Sequence, residues 1–360
     1  MHGLPQTARG APARAPRHLT GFYLTIALGG ALGALMVGVA APLLLPDYFE
    51  LDLALAVLIG VVLVLLRGER GASTAWKIVA FGAPLAVAIL QFQAASAKSL
   101  VSVRNFYGVL RLTESGEGRD RERQIVHGAI VHGRQYVDPS RRRETVGYYR
   151  PEAGGARAIA AMAERGPSRV AVIGLGAGAL VAYGRAGDTY RIYEIKQAVI
   201  DMANRDFSFL KDSAAAIEMV LGDARLKLER EPSQRFDVLV VDAFTGDAIP
   251  VHLLTLQALD IYLRHLAPGG ILAIHVSNRF LVLPPVIRNL ADKRGVGMVR
   301  VFDRDPVTGI ASSEWVLLAR EDAPLAHPRI ATASDRVAPA PSMGVWTDEF
   351  AALVLALRLW

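Results

Sequence analysis

An α/β fold, a mostly parallel sheet with helices around it, is predicted by three observations in the stretch Arg169 to Thr255. An apolar strand, Val170-Ala171-Val172-Ile173, runs directly into Gly174-Leu175-Gly176-Ala177-Gly178. A second strand, Tyr190-Arg191-Ile192-Tyr193, ends on Glu194, 20 residues after Gly174. A third apolar strand, Val238-Leu239-Val240-Val241, delivers Asp242-Ala243-Phe244-Thr245-Gly246-Asp247-Ala248-Ile249-Pro250. A glycine turn followed at that distance by a carboxylate is the pattern of a Rossmann-like nucleotide-binding half.

Each feature has a physical reason. Gly174, Gly176 and Gly178 let the backbone approach a ligand closely, and a helix opening after them points its N–H groups at that ligand. Glu194, at a strand tip, is placed to bind both ribose hydroxyls. Asp223, with Ala224 beside it, ends a further segment and can accept a hydrogen bond from an adenine amino group. Ligands of such folds lie at the carboxyl ends of the strands, where the sheet order reverses. The four features therefore converge on one adenosine-shaped pocket.

The rest of the chain divides by composition. With 360 residues there is room for two or three domains. Hydrophobic residues make up 52%, a high share that the first hundred residues explain. The absence of cysteine excludes disulfides, thiolate nucleophiles and cysteine-ligated zinc. The net charge of +6, mostly arginine, lies beside apolar spans, so it suits anionic lipid head groups and no nucleic-acid partner is expected.

Residues 1–17, rich in Ala, Pro and Arg, read as a disordered basic tail. Residues 18–97 read as a membrane domain of two to three transmembrane helices. Leu19 to Leu45 is long enough to span a bilayer, with Gly29 and Gly33 suited to close helix packing. Leu51 to Leu66 and Ile78 to Phe92 are shorter apolar stretches near the lower limit for spanning. Residues 98–150 read as a small β-domain holding His127-Gly128, His132-Gly133, Arg141-Arg142-Arg143 and Tyr148-Tyr149. Its two histidines have no partner cluster in sequence, so no metal site is expected. Residues 151–335 form the Rossmann-like domain. After Asp242, a helix is expected from Pro250, ending at Ala267-Pro268-Gly269-Gly270 before the strand Ile271 to His275. A further helix is expected over Val282 to Arg294, and Val299–Phe302 with Trp315–Leu318 read as closing strands. Residues 321–343 read as a Pro/Ala-rich linker, and Trp346-Thr347-Asp348-Glu349-Phe350 as the start of a terminal helix, so residues 336–360 form a linker and helix.

The glycine turn alone also satisfies a dinucleotide fingerprint, Gly174-x-Gly176-x-x-Ala179, which keeps a dehydrogenase in view. A single such unit, together with Asp223 and the Pro-Gly-Gly turn, fits a class I S-adenosylmethionine-dependent transferase better.

Further motifs carry a family resemblance: Leu19-Thr20-Gly21-Phe22-Tyr23-Leu24 with Ala27-Leu28-Gly29-Gly30, then Asp242 to Thr255, His275-Val276-Ser277-Asn278-Arg279 and Trp346-Thr347-Asp348-Glu349. From Tyr107 to Phe350 the chain resembles spermidine synthase and the polyamine aminopropyltransferases, in particular the bacterial branch with transmembrane helices ahead of the synthase-like domain. The resemblance implies transfer of an aminopropyl group from decarboxylated S-adenosylmethionine to a polyamine-like amine, releasing methylthioadenosine. It implies Asp242 as the catalytic aspartate and Asp247 as a stand-in for the second loop aspartate. It matches Glu194 to the ribose carboxylate and Asp223 to the adenine-binding one, with Gln135, Tyr148 and Tyr149 on the amine side. His252 and His275 read as packed residues, either also able to serve as a base.

Two departures stand out. The family carries an aspartate inside its glycine turn where this chain has Ala177, and the loop after Asp242 is longer and more apolar here. Both leave room for intact S-adenosylmethionine, and with it a methyltransferase. A non-catalytic membrane sensor of an adenosyl ligand or polyamine is the third reading. The expected setting is the inner membrane, multi-pass, with the catalytic domain facing the cytoplasm and a homodimer allowed.

Overall fold

The computed structural model describes residues 19–45, 47–66, 82, 86, 90, 99–105, 108–128, 130–244, 249–304 and 313–358. The expected basic tail and most of the third apolar stretch lie outside these residues. The chain divides into two compact units, Met1–Leu90 with Arg104–Phe106, and Gln91–Val103 with Tyr107–Trp360.

The first unit contains α1 (Leu19–Leu35), which continues through a π-helical turn, Met36–Ala40, into Ala41–Leu44. The turn widens just ahead of Pro42, which lacks an N–H and whose ring crowds the carbonyl of Gly38 four residues back. Leu19–Leu44 is, among the described residues, the one helix long and apolar enough to cross a membrane. Its large side chains, Phe22, Leu24, Ile26 and Leu28 among them, are exposed. A Cβ added at Gly29 or Gly33 would meet nothing within 4 Å. A second helix, α2 (Glu50–Leu66), has 17 residues and is uncharged after Asp52. Two to three spans were expected, and among the described residues only α1 with its extension reaches the full length.

The second unit carries two sheets. The first is four-stranded and antiparallel, ordered β1 (Ser99–Asn105), β2 (Gly108–Ser115), β3 (Glu122–His127) and β4 (Ile130–Tyr136), with an irregularity between Ile125 and Val126. This is the expected small β-domain. After it, α3 (Gly154–Ala163) crosses the larger sheet. A Cβ on Gly154 would stand 2.5 Å from the Trp315 Cβ, so only glycine lets this helix seat so closely.

The larger sheet has eight strands, in the order β12-β10-β11-β9-β8-β5-β6-β7. They are β5 (Arg169–Ile173), β6 (Thr189–Glu194), β7 (Ala216–Leu221), β8 (Phe236–Val241), β9 (Leu266–His275), β10 (Gly297–Asp303), β11 (Ser313–Ala319) and β12 (Ser334–Asp335). β5 pairs in parallel with both β6 and β8, and β8 with β9, while β11 returns antiparallel to β9. The central strands read as unbroken Val/Ile/Leu runs because both faces are covered: Val238 to Val241 are all fully buried. Covering helices are α4 (Gln197–Asp206), α5 (Ala224–Arg230), α6 (Leu256–His265) and α7 (Pro284–Arg294). α7 opens on proline and ends at Gly295 with φ +64°, an ordinary stop for a helix.

Four expectations change. The glycine turn opens into a five-residue 3₁₀ turn, Ala179–Tyr183, and not into an α-helix. Pro250 leads into a 3₁₀ turn, Val251–Leu253, and the α-helix starts only after Thr255, whose hydroxyl accepts the Ala258 N–H. The supposed linker 321–343 holds three short helical turns and β12, with Leu325 and Ile330 supplying buried anchors. The segment after Trp346 is irregular, ending in a 3₁₀ turn, Leu353–Ala356. What fixes it is side-chain burial: Trp346 is fully buried in the core formed by β8, α6 and α7.

Replacing Trp346 with alanine should therefore cost about 3–5 kcal/mol, the range for removing a fully buried large aromatic. Urea unfolding followed by fluorescence measures it, and a loss below about 1 kcal/mol would mean the carboxyl-terminal segment is not part of the core.

Candidate functional site

The larger sheet reverses its strand order between β5 and β8, so a crevice opens at the carboxyl ends of these two strands. A cavity of about 250 Å³ lies there. Gly174, Gly176, Glu194, Asp223, Ala224, Asp242 and Tyr149 all line it. Sequence reasoning had scattered these residues over nearly a hundred positions, and the topology brings them to one wall.

The turn after β5 is built by close approach. Gly174 has φ +95°, and a Cβ there would collide with the backbone carbonyl of Asp242. Gly176 has φ +54°, and a Cβ would stand 2.5 Å from the His132 carbonyl on β4. Glycine alone accepts both the left-handed backbone and the missing space. Ala177 is buried against Gly133, where even a Cβ on the glycine would lie 2.5 Å from the alanine methyl. Nothing larger than alanine fits at 177 while β4 holds its place.

Glu194 is buried, and both oxygens are engaged by backbone: Oε2 accepts the Leu175 N–H at 3.0 Å and Oε1 the Lys196 N–H at 2.9 Å. Burial pushes its carboxyl above the usual range, against the pull of those donors. Each oxygen keeps a further lone pair for a ligand hydroxyl. Asp223 serves two purposes: Oδ1 caps α5 by accepting the Leu226 N–H at 2.9 Å, and Oδ2 lies 3.4 Å from His252 Nε2. His252 is held by its neighbours. Arg225 donates to the His252 carbonyl at 2.6 Å and to Asp348 Oδ1 at 2.7 Å, and the Thr255 hydroxyl reaches the same Asp348 oxygen at 2.8 Å. The Trp346-to-Glu349 motif thus clamps the segment that closes one side of the cavity.

Asp242 follows β8, with its side chain 6% exposed. Its Oδ1 lies 2.7 Å from His275 Nδ1; the Tyr149 hydroxyl, near the same carboxylate, donates to the His132 carbonyl at 3.4 Å. Burial and that carboxylate push the Tyr149 phenol well above its ordinary value, so it stays a protonated donor.

Other expected residues fall elsewhere. Gln135 is buried and spent on structure: its amide NH₂ donates to the Arg142 carbonyl at 2.7 Å and to Ser208 Oγ at 2.9 Å, and its oxygen accepts the Ser208 N–H. It does not line the cavity, and neither do Gly178, packed beside Leu210, or Tyr148, whose ring lies 5.0 Å from that of His275. Asp247 lies outside the described residues. His127 and His132 face each other with ring centroids 5.7 Å apart, and among the described residues no third donor completes a metal-binding group.

Sequence reasoning missed Lys196, His132 and Phe244 as cavity residues. Lys196 stands two positions past Glu194, a signal that was readable; its half-buried ammonium is held below its ordinary value by burial. His132 is recognisable only from the sheet register, which sets β4 over the glycine turn.

Fold and site together define a Rossmann-like α/β domain with a small four-stranded sheet beside it. Over 160 residues the chain is 30% identical to a polyamine aminopropyltransferase of Vibrio vulnificus (strain CMCP6), covering 42% of this chain and 50% of that protein. The chain thus spans about half the length of that curated relative. A probable spermidine synthase from Corynebacterium glutamicum ATCC 13032 superposes with a TM-score of 0.49 at 16% identity, over 61% of this chain and 79% of that one. Spermidine synthase from Thermotoga maritima gives 0.49 at 13% identity, over 73% and 85%. An O-methyltransferase from Bacillus cereus gives 0.35 at 14%, over 47% and 82%. No family model matches the chain.

One consequence of the site is a pH dependence of stability. Burial first, then the positive charge of neighbours led by His127 and Lys196, holds His132 down to about 4 from its ordinary 6.5. The unfolded chain takes up this proton as pH falls through about 6.5, while the folded chain stays neutral there until about 4. Stability is therefore lost with falling pH across that window, by up to about 3 kcal/mol from this group. His132→Gln should flatten the decline measured by urea unfolding between the two limits; an unchanged slope would show the ring to be solvated.

Proposed function

We propose that the protein is a membrane-anchored transferase that moves an aminopropyl group from decarboxylated S-adenosylmethionine to an amine and releases methylthioadenosine. The observation that carries this reading is the convergence of Glu194, Asp223 and Asp242 on one cavity at the strand-order reversal. Three carboxylates, each with a different set of partners, suit the three polar ends of such a reaction.

In this reading the ribose hydroxyls bind the free lone pairs of Glu194, and the adenine amino group lies by Asp223. An amine with a pKa near 10 is an ammonium at neutral pH and cannot attack until it gives up a proton. Asp242 binds the cation and accepts that proton. The nitrogen lone pair then attacks the carbon next to the sulfonium. The carbon–sulfur bond breaks toward sulfur, which leaves as a neutral thioether. The Tyr149 phenol, held protonated beside Asp242, does not compete for the proton. The helix Leu19–Leu44 is taken as the anchor, α2 as a second span, and the transferase domain as facing the cytoplasm, where adenosyl nucleosides are made.

A second reading has its own support. Ala177 stands where the family keeps an acid, and Gly133 leaves no room for one, which favours a cofactor that retains its carboxylate and hence methyl transfer. Incubating the purified protein with each nucleoside and a panel of amines separates them. Methylthioadenosine as product supports aminopropyl transfer, and S-adenosylhomocysteine supports methylation. Tight nucleoside binding without either product would leave a sensor.

Asp242→Asn should abolish turnover while nucleoside affinity stays within about threefold of the parent. Glu194→Ala should weaken nucleoside binding by about 1.5–3 kcal/mol, the scale of hydrogen bonds to a charged acceptor. Calorimetric titration gives both; an unaltered affinity in the alanine variant moves the ribose elsewhere.

A further inference from the structure

Behind Asp242 lies a chain of hydrogen bonds that the reaction above does not use. His275 ends β9, 2% exposed, and its two ring nitrogens have different partners. Nδ1 lies 2.7 Å from Asp242 Oδ1, and Nε2 lies 2.8 Å from Ser277 Oγ. Ser277 Oγ in turn accepts the backbone N–H of Glu314, on β11, at 2.8 Å. With that donor already pointed at the oxygen, the single hydroxyl proton of Ser277 is available for His275 Nε2. The ring's own proton then sits on Nδ1 and points at Asp242. Ionised Asp242 can only accept, so the carboxylate selects the Nδ1–H form, and the Ser277 hydroxyl is free to donate to the other nitrogen.

The ring is also held in place. Trp315 stacks on it at 4.5 Å with a 9° interplanar angle, and the rings of Tyr148 and Phe244 approach to 5.0 Å each. An imidazole fixed this way has no freedom to turn its donor away.

We propose that His275 is a positioning residue for Asp242: neutral and protonated on Nδ1, it holds Oδ1 and leaves Oδ2 to face the amine. The proposal rests on the role of Asp242 as proton acceptor given above. The attacking ammonium gives one proton to Oδ2, and its lone pair forms the new carbon–nitrogen bond as the carbon–sulfur bond breaks. The electron pair goes to sulfur and cancels its positive charge. Asp242 releases the proton to water after product leaves, and His275 keeps its own proton throughout.

The test combines a spectroscopic readout with a pair of substitutions in the full-length chain. In protein carrying ¹⁵N-labelled histidine, the His275 signals are assigned by their loss in His275→Asn. Near neutral pH they should show the Nδ1–H tautomer, and the protonated nitrogen should shift in Asp242→Asn. An Nε2–H tautomer, or a doubly protonated ring, overturns the assignment whether or not the protein turns over. In the aminopropyl-transfer assay, His275→Leu should lower kcat by about a hundredfold or more with KM for the amine changed less than about threefold. His275→Asn, whose amide nitrogen can stand in for Nδ1–H, should recover kcat to within about tenfold of the parent. Equal losses in the two variants, both folded by near-ultraviolet circular dichroism, overturn positioning. Absence of turnover with the Nδ1–H signal intact upholds the hydrogen bond and refutes the transferase reading instead.

Discussion

The structure depends on how closely two parallel strands bring their ends together. β5 and β8 pair from Val170 against Val238 to Ile173 against Val241, so the next residues, Gly174 and Asp242, emerge side by side. The backbone of Asp242 occupies the space where any side chain on residue 174 would lie. The same contact lets the glycine turn and the aspartate share one cavity. A residue with a Cβ at 174 would push apart the two strand ends that define the crevice. Around this contact the rest is arranged by pressure from outside: β4 lies on Gly176 and Ala177, Glu194 ties the turn from one flank, and His275 braces the aspartate from the other.

Much of this was legible in the amino-acid sequence, and the reason is burial. Strands covered on both faces read as plain runs of Val, Ile and Leu, which is why β5 and β8 stood out. The positions of Glu194 and Asp242 follow from the same runs, since a carboxylate directly after a buried strand can only sit at the sheet's edge. Asp223 was legible only as an adenine contact, and its capping role emerged with the fold. It is a helix cap and a cavity residue at once, because its two oxygens point to different partners.

What stayed hidden depends on register between distant segments. Gln135 is polar and close to the site in sequence terms, yet it is consumed by Ser208 and Arg142, a pairing that no local pattern announces. His275 was read as a packed strand residue able to act as a base; its link to Asp242 exists only because β9 and β8 pair with Ile274 opposite Val241. The 3₁₀ turn in place of a helix after the glycines reflects tight packing of Ala179, Leu180 and Val181 into the core, which propensity does not encode. The Pro- and Ala-rich end looked like a linker because its few anchors, Leu325, Ile330 and Trp346, are too widely spaced to give a period. The apolar helices before the sheets were legible from length alone, and length separates α1 with its extension from the shorter α2.

The central claim is that an adenosyl thioether lies across the ends of β5, β6 and β8 with its sulfur toward Asp242. Determining the structure of the protein with methylthioadenosine bound tests this most directly. The account predicts ribose hydroxyls on Glu194, the adenine amino group at Asp223 and the sulfur facing the Asp242 carboxylate. A nucleoside bound elsewhere, or a crevice that stays closed to it at saturating concentration, would contradict it.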